Sequence, residues 1–469
     1  MRTVVVGAGP AGLVSAMALA RRGQEVTVVD RDAGPADDGA WDRRGVMQFA
    51  QPHVFRSMTR MLLRERLPDV LDAVMAAGAV PVTPPGAPDE ATLLWCRRET
   101  YERTLRACAV REHRVGFLPG HADALLRRQD EVYGVVVDGH LLEADLVVDA
   151  SGRHGRLGDG TRPASVGGDC GFAYASRLYR LRDGAELGPV NAPPGYAHFA
   201  DGYLLIVFPH DARTFSVLLV RDARDRALAA VRQEEVWNAV IAQLPPAATW
   251  TDPERSVPIG PIRAGAGLTN HYQGQAPGVR GVLFAGDSVS TTNPVGGRGA
   301  SLALAQAFAL VDTVEGFDRD DQAAELDDWG RRHLRPWYDD AVSLDRATHR
   351  RWDHEPLDLD GEISSDLVMA AADVDPRLMV FLAPYLAMTA TPDTLGQARE
   401  QVRSMLREGW RPATPGPNRD ELVAAAEELL GVPLTGEEVP QQRRRVLGED
   451  TGEDLGAVVE PTVADHVPQ

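Results

Sequence analysis

The chain of 469 residues carries 49 basic against 68 acidic side chains, a formal net charge of −19, with 44% apolar and 25% charged residues. That composition is globular and long enough for several cores, which excludes a disordered or fibrous chain. The acidic balance speaks against a nucleic-acid partner, and no apolar run approaches the roughly 18 residues of a membrane span.

Two shortages narrow the chemistry. Three cysteines, Cys96, Cys108 and Cys170, show no CxxC spacing, so a disulfide scaffold, a dithiol redox pair or a zinc knuckle is not expected. There is no lysine; every basic residue is arginine. That excludes a Schiff base, a P-loop lysine and a lysine general base. His349, Asp353, His354 and Glu355 lie close in sequence without metal-ligand spacing, so no metal is expected. The start runs straight into a glycine turn with no signal-peptide cleavage region, and a cytoplasmic protein is expected.

In chain order, residues 3–6 read as a short buried parallel strand, followed by Gly7-Ala8-Gly9-Pro10-Ala11-Gly12 and a helix over 13–22 stopped by Gly23. Residues 25–29 form a second strand ending at Asp30. After an arginine-rich loop at 41–45, residues 53–77 read as helix broken at Pro68. Four prolines and a glycine make 80–90 a loop, and 100–110 is helical. Residues 132–137 and 141–143 around Asp138-Gly139 predict a hairpin. Residues 145–149 form an apolar strand leading into Ala150-Ser151-Gly152-Arg153. From 171 to 222 the pattern is β, with strands at 173–181, 203–208 and 214–220. Residues 281–285 form a buried strand before Gly286-Asp287, and 301–314 a helix. Beyond about residue 320 the chain reads as mostly helical. Residues 378–388, interrupted by Pro384, read as helical core, or else as a pocket lid or membrane-touching patch. Asn418 with Glu421 predicts a capping box, and Gly431 and Pro433 a stop. Residues 436–469, with eight acidic and three basic side chains, read as a disordered acidic tail.

The first motif is specific because of its context. The glycine turn follows a strand, opens a helix, and is followed by an acid, Asp30, 23 positions after Gly7 at the end of the next strand. That spacing suits a ribose-binding carboxylate. Gly7 allows the tight turn, Gly9 lets a pyrophosphate approach the backbone, and Gly12 lets helix and strand pack closely. The helix N-terminus offers free N–H groups to the phosphates. The second motif, Gly281-Val-Leu-Phe-Ala-Gly286-Asp287-Ser288 followed by Asn293-Pro294-Val295-Gly296-Gly297-Arg298-Gly299-Ala300, repeats this logic: an apolar strand ends in Gly-Asp and a glycine-rich turn opens a helix.

With these residues the chain resembles FAD-dependent monooxygenases of the aromatic-hydroxylase type. The resemblance implies that Gly7, Gly9, Pro10, Ala11, Gly12, Asp30 and Arg31 hold the adenosine pyrophosphate half of FAD. It implies that Gly286-Asp287 meets the ribityl chain, and that Pro294, Gly296, Gly297, Gly299 and Ala300 face the flavin ring. A narrower likeness is to actinobacterial epoxidases and hydroxylases of natural-product pathways. It rests on Arg44-Gly45-Val46-Met47-Gln48 with His53, on Arg98-Glu-Thr-Tyr101-Glu102 with Leu105-Arg106, and on Asp145-Leu-Val-Val-Asp149-Ala-Ser-Gly152-Arg153. By it Arg44 and Arg98 would reach the FAD phosphates or ribityl chain. Flavin-dependent halogenases look similar but carry a lysine and a Trp-x-Trp-x-x-Pro segment, and both are absent here. Hydroxylases that bind NAD(P)H directly usually have Asp-Gly where this chain has Asp149-Ala150. The electron source is therefore expected to be NAD(P)H without a stable site of its own, or a separate flavin reductase.

The expected fold is α/β. A discontinuous Rossmann-like FAD-binding domain would span 1–80, 95–170 and 260–320, a β-rich substrate domain 171–259, and a helical region 321–435. Tyr174, Arg177 and Tyr179 on the β segment, with His53, are candidate substrate-binding residues; no catalytic side chain is assigned. The expected reaction inserts one oxygen atom from O2 into a small organic, natural-product-like substrate, by hydroxylation or epoxidation through a flavin C4a-(hydro)peroxide. An FAD-dependent reductase or dehydrogenase without oxygen insertion, and a non-catalytic flavin-binding protein, share every one of these motifs.

Overall fold

A computed structural model of the chain describes residues 1–36, 39–43 and 45–434. Residue Arg44 and the acidic tail expected at 436–469 lie outside the described residues.

The first strand, β1 (Arg2–Val6), is the centre of a five-stranded parallel sheet. Its neighbours are β2 (Glu25–Asp30) on one side and β4 (Leu146–Asp149) on the other, with β3 (Val115–Pro119) and β8 (Val282–Phe284) at the edges. β1, β4 and β8 are covered on both faces, as parallel strands require, and read as short, nearly continuous apolar runs, whereas the edge strand β3 is mostly exposed. The helix α1 (Pro10–Arg21) buries nearly its whole length between β1 and two further helices, α2 (Arg98–Arg111) and α4 (Gly299–Gly316). Both glycine motifs therefore end at the same edge of one sheet, because β1, β4 and β8 are adjacent and parallel.

A second sheet is antiparallel, with β5 (Phe172–Leu181), β6 (Tyr203–Pro209) and β7 (Thr214–Asp222) at its centre. Its two faces belong to different cores. Tyr174, Leu204, Ile206, Phe208, Leu218 and Val220 pack on the side of Val54 and Trp95. Ala175, Tyr179, Phe215, Val217 and Leu219 pack under the helix α3 (Glu234–Ala242), with Trp237 and Trp250. Most helices beyond residue 320 form a layer against the parallel sheet, in which α5 (Arg335–Trp352) contributes Trp337 and Tyr338 to the shared core, whereas the last helix, Arg419–Leu430, packs on α3.

Local signals resolve as the side chains dictate. Asp138 and Gly139, both at positive φ, close the hairpin between Glu131–Val137 and His140–Glu143. Pro68 starts a new helix, Pro68–Ala76, directly after Ser57–Arg66. The Asn418–Glu421 capping box carries both of its hydrogen bonds, and Gly431 takes the left-handed C-cap. The loop expected at 80–90 is partly a strand: Val80–Val82 pairs with Leu93–Trp95, the prolines having masked a two-stranded ribbon. The segment around Pro384 is the helix Met379–Ala387; Leu382 and Tyr385 enter the core, whereas Val380 is 69% exposed. Among the described residues, no helix is long and apolar enough to cross a membrane.

Candidate active site

The two glycine motifs and the antiparallel sheet enclose one cavity of about 1060 Å³. Its walls run from Gly7, Gly9, Pro10, Ala11, Asp30 and Arg31, past Gly286 and Asp287, to Pro294, Gly297, Gly299 and Ala300. At its far end stand Tyr174, Phe208 and Leu218, all on one face of the second sheet.

The glycines divide by what a side chain would meet. At Gly7 (φ +103°) a Cβ would lie 2.3 Å from the Ala150 carbonyl oxygen, and at Gly12 1.9 Å from the Gly7 carbonyl oxygen. These two are needed for strand, turn and helix to touch. At Gly9 and Gly299 a Cβ would meet nothing within 4 Å, although both line the cavity. Protein packing does not demand glycine there; a group lying in the cavity against the backbone would. The residues thus fit a dinucleotide whose pyrophosphate rests on the start of α1 and whose ring end lies on the start of α4.

The carboxylates agree. The Asp30 carboxylate accepts from the Ala8 N–H at 2.5 Å and from the Asp32 N–H at 2.8 Å, which fixes it at the lip of the glycine turn. Asp287 lines the cavity and has no side-chain hydrogen bond within the described residues. Burial pushes its pKa above the ordinary carboxylate value, opposed by the Arg98 and Arg153 charges. A hydroxyl donor in the cavity would reverse this, as a ribityl chain can.

Arg98 lines the cavity and ion-pairs with the fully buried Glu102. His53 joins it there. The Gln51 carbonyl, 3.0 Å from Nδ1, can only accept, so Nδ1 carries the proton; Arg98 Nη1, 3.1 Å from Nε2, can only donate. Burial and the neighbouring Arg98 charge hold the His53 pKa down at about 3. The ring is therefore neutral and has no free lone pair for proton transfer.

Not all the sequence candidates meet. Gly12 and Gly296 stand behind the wall; the Gly296 carbonyl accepts from Arg56 Nη2 at 2.7 Å. Tyr174 faces the cavity and burial pushes its hydroxyl up to about 12. Arg177 and Tyr179 do not line it. Their odd register turns them to the opposite face of β5, where Arg177 pairs with Glu234 at 2.8 Å and the Tyr179 hydroxyl accepts from Trp237 Nε1 at 2.8 Å. Spacing alone could have separated them: in a strand, positions 174 and 177 point opposite ways.

Arg43 was not a sequence candidate, yet it is a cavity residue. Buried, it contacts Asp30 at 3.5 Å, Asp32 at 3.1 Å and Glu102, tying the second strand to α2. In Trp41-Asp42-Arg43-Arg44 sequence offers no way to rank two consecutive arginines. Phe208 and Leu218, and Arg153 in the loop after β4, were equally unassigned and also line the cavity.

Residues 2–52 match the family model described as FAD dependent oxidoreductase. Among solved structures, the flavin-dependent brominase Bmp2 superposes with a TM-score of 0.63 at 15% identity, over 87% of this chain and 99% of that one. PqsL, a probable FAD-dependent monooxygenase from Pseudomonas aeruginosa, gives 0.57 at 15% identity, over 75% and 96%. A mutant of 2-methyl-3-hydroxypyridine-5-carboxylic acid oxygenase gives 0.53 at 19% identity, over 75% and 92%. The chain thus has the fold of flavin-dependent monooxygenases and opens with the segment of an FAD-dependent oxidoreductase.

Proposed function

We propose that the chain is an FAD-dependent monooxygenase that inserts one oxygen atom from O2 into a small, natural-product-like organic substrate, by hydroxylation or epoxidation. The observation that carries this reading is the continuity of the cavity: the dinucleotide turn, Asp287 and the 294–300 turn open directly onto the apolar wall of Tyr174, Phe208 and Leu218. A substrate on that wall would lie beside the ring end of the cofactor.

FAD, when bound, supplies the oxygen and redox chemistry. The protein's part is binding, charge and water exclusion. The amides that open α1 take the pyrophosphate, and Asp30 and Asp287 accept hydroxyls of the ribose and ribityl chain. The N-terminal end of α4, through Gly299 and Ala300, would present its partial positive charge to the ring end of the cofactor. Phe208, Leu218 and Tyr174 keep water from the reacting atoms. His53, neutral and engaged at both nitrogens, holds Arg98 rather than moving a proton.

The brominase shares the fold, but this chain has no lysine, so oxygen insertion is preferred to halide oxidation. Ala150 in place of a glycine, and a single dinucleotide turn, favour an electron source that docks transiently: NAD(P)H at the cavity mouth, or a separate flavin reductase in the cytoplasm. The test is oxygen uptake by the FAD-loaded protein across a panel of aromatic and alkene substrates, with 18O2 incorporation into product. Uptake that yields only hydrogen peroxide for every substrate, or product formed without labelled oxygen, would refute it.

A further inference from the structure

The turn that opens α4 is held from behind by α5. Asn293 caps it, its side-chain oxygen accepting from the Val295 N–H at 3.1 Å. The same side chain donates from Nδ2 to the Asp345 carboxylate at 2.8 Å. The other Asp345 oxygen accepts from Asn270 Nδ2 at 2.7 Å, and the Asn270 oxygen accepts from the Asn293 N–H at 2.8 Å. The result is a closed ring of hydrogen bonds through the buried Asn270 and Asp345 side chains and the side chain and main-chain N–H of Asn293. Five residues on, Arg298 pairs with Asp340 of the same helix at 2.8 Å and is packed over the rings of Trp337 and Tyr385. The Tyr385 hydroxyl donates to Asp340 at 2.9 Å.

Asp340 and Asp345 do not line the cavity, whereas Pro294, Val295 and Gly297, which lie between their partners Asn293 and Arg298, do, as does Gly299 just beyond. Buried carboxylates are costly unless paired and fully hydrogen-bonded. Here two of the compensating donors, Asn293 Nδ2 and Arg298 Nη1, come from the two ends of one turn, alongside Asn270, Tyr385 and Arg399, so the carboxylates tie that turn to α5.

We propose that Asp345 and Asp340 are positioning residues for the flavin ring: through Asn293 and Arg298, α5 sets the shape of the turn on which the ring end of the cofactor lies. The proposal rests on the flavin reading of the cavity. It assigns to the helical region a part in the reaction, and it predicts that ring binding and adenosine pyrophosphate binding can be uncoupled.

The experiment compares FAD with ADP, which shares only the adenosine pyrophosphate half. In Asp345→Asn one acceptor oxygen is replaced by a donor facing another donor. FAD affinity should fall about tenfold or more, ADP affinity should stay within about twofold of wild type, and the visible flavin band of the loaded variant should shift. Asp340→Asn should act in the same direction. Asp339→Asn, whose carboxylate pairs with Arg335 on the exposed side of α5, should leave all three readings unchanged. Should Asp345→Asn fail to fold, Asn293→Ser keeps an oxygen for the cap but loses the amide to Asp345, and should show the same split. FAD and ADP affinities falling together, or neither falling, would overturn the positioning role and leave the flavin site standing. Wild-type protein that binds ADP but no FAD would overturn the flavin reading and the proposal with it.

Discussion

Asp287 offers a prediction in which stability and binding move in opposite directions. Its carboxylate is recessed in the cavity wall, has no side-chain hydrogen bond within the described residues, and is held above its ordinary pKa of 3.8 mainly by burial. In the protein without FAD this charge is a liability, so Asp287→Asn should leave the melting temperature unchanged or raise it. On the proposed reading the same carboxylate would accept a ribityl hydroxyl of FAD, a hydrogen bond to a charged group, typically about 1.5–3 kcal/mol. The variant should therefore bind FAD about 10- to 150-fold more weakly. The pH dependence has a definite sign. Because the folded pKa is raised, the group's contribution to stability is present below the ordinary carboxylate value and is lost as pH rises through the raised one. FAD, which binds the ionised form, should gain affinity over that same rise, and the gain should vanish in Asp287→Asn. Fluorescence titration of FAD against pH, alongside thermal melts of the apoprotein, reads both. An apoprotein destabilised by the substitution, with FAD affinity unaltered, would refute the assignment.

Gly9→Val and Gly12→Val should separate cleanly. The first should fold and lose FAD, because its Cβ meets no protein atom; the second should fail to fold, because its Cβ would lie 1.9 Å from a carbonyl oxygen; circular dichroism with flavin content distinguishes them. Gly299→Leu should give a stable, colourless protein, read by thermal melt and visible absorbance. Tyr179→Phe should cost about 1–3 kcal/mol of stability by stripping the buried Trp237 N–H of its acceptor, without changing FAD affinity, as measured by denaturant unfolding and FAD titration. Tyr174→Phe, on the cavity face of the same strand, should keep both stability and FAD affinity and change only substrate turnover.

What could be read from the sequence was whatever is encoded locally. A strand, a glycine turn and an acid at the next strand's end fix a backbone shape, so the close backbone contacts at Gly7 and Gly12 were legible at once. The convergence of Gly286-Asp287 on the same cavity followed from repeating that logic, since adjacent parallel strands deliver their turns to one edge. The far wall was not legible. Phe208 and Leu218 lie in apolar runs buried on both faces, and such runs do not say which face meets a cavity. Arg177 and Tyr179 looked functional because polar and aromatic groups in a strand suggest a pocket; the structure uses them to satisfy Glu234 and Trp237 under α3. The ring through Asn270, Asn293 and Asp345 joins residues 23 to 75 positions apart, and nothing in their spacing announces it.

We propose that the cavity holds one dinucleotide flavin with its ring end against the 294–300 turn. Reconstitution of the purified protein with FAD and with FMN, followed by mass analysis of what remains after gel filtration, tests it most directly. One equivalent of FAD retained, FMN lost, and FAD displaced by excess ADP is the predicted result; FMN retained in its place, or no flavin retained at all, would contradict it.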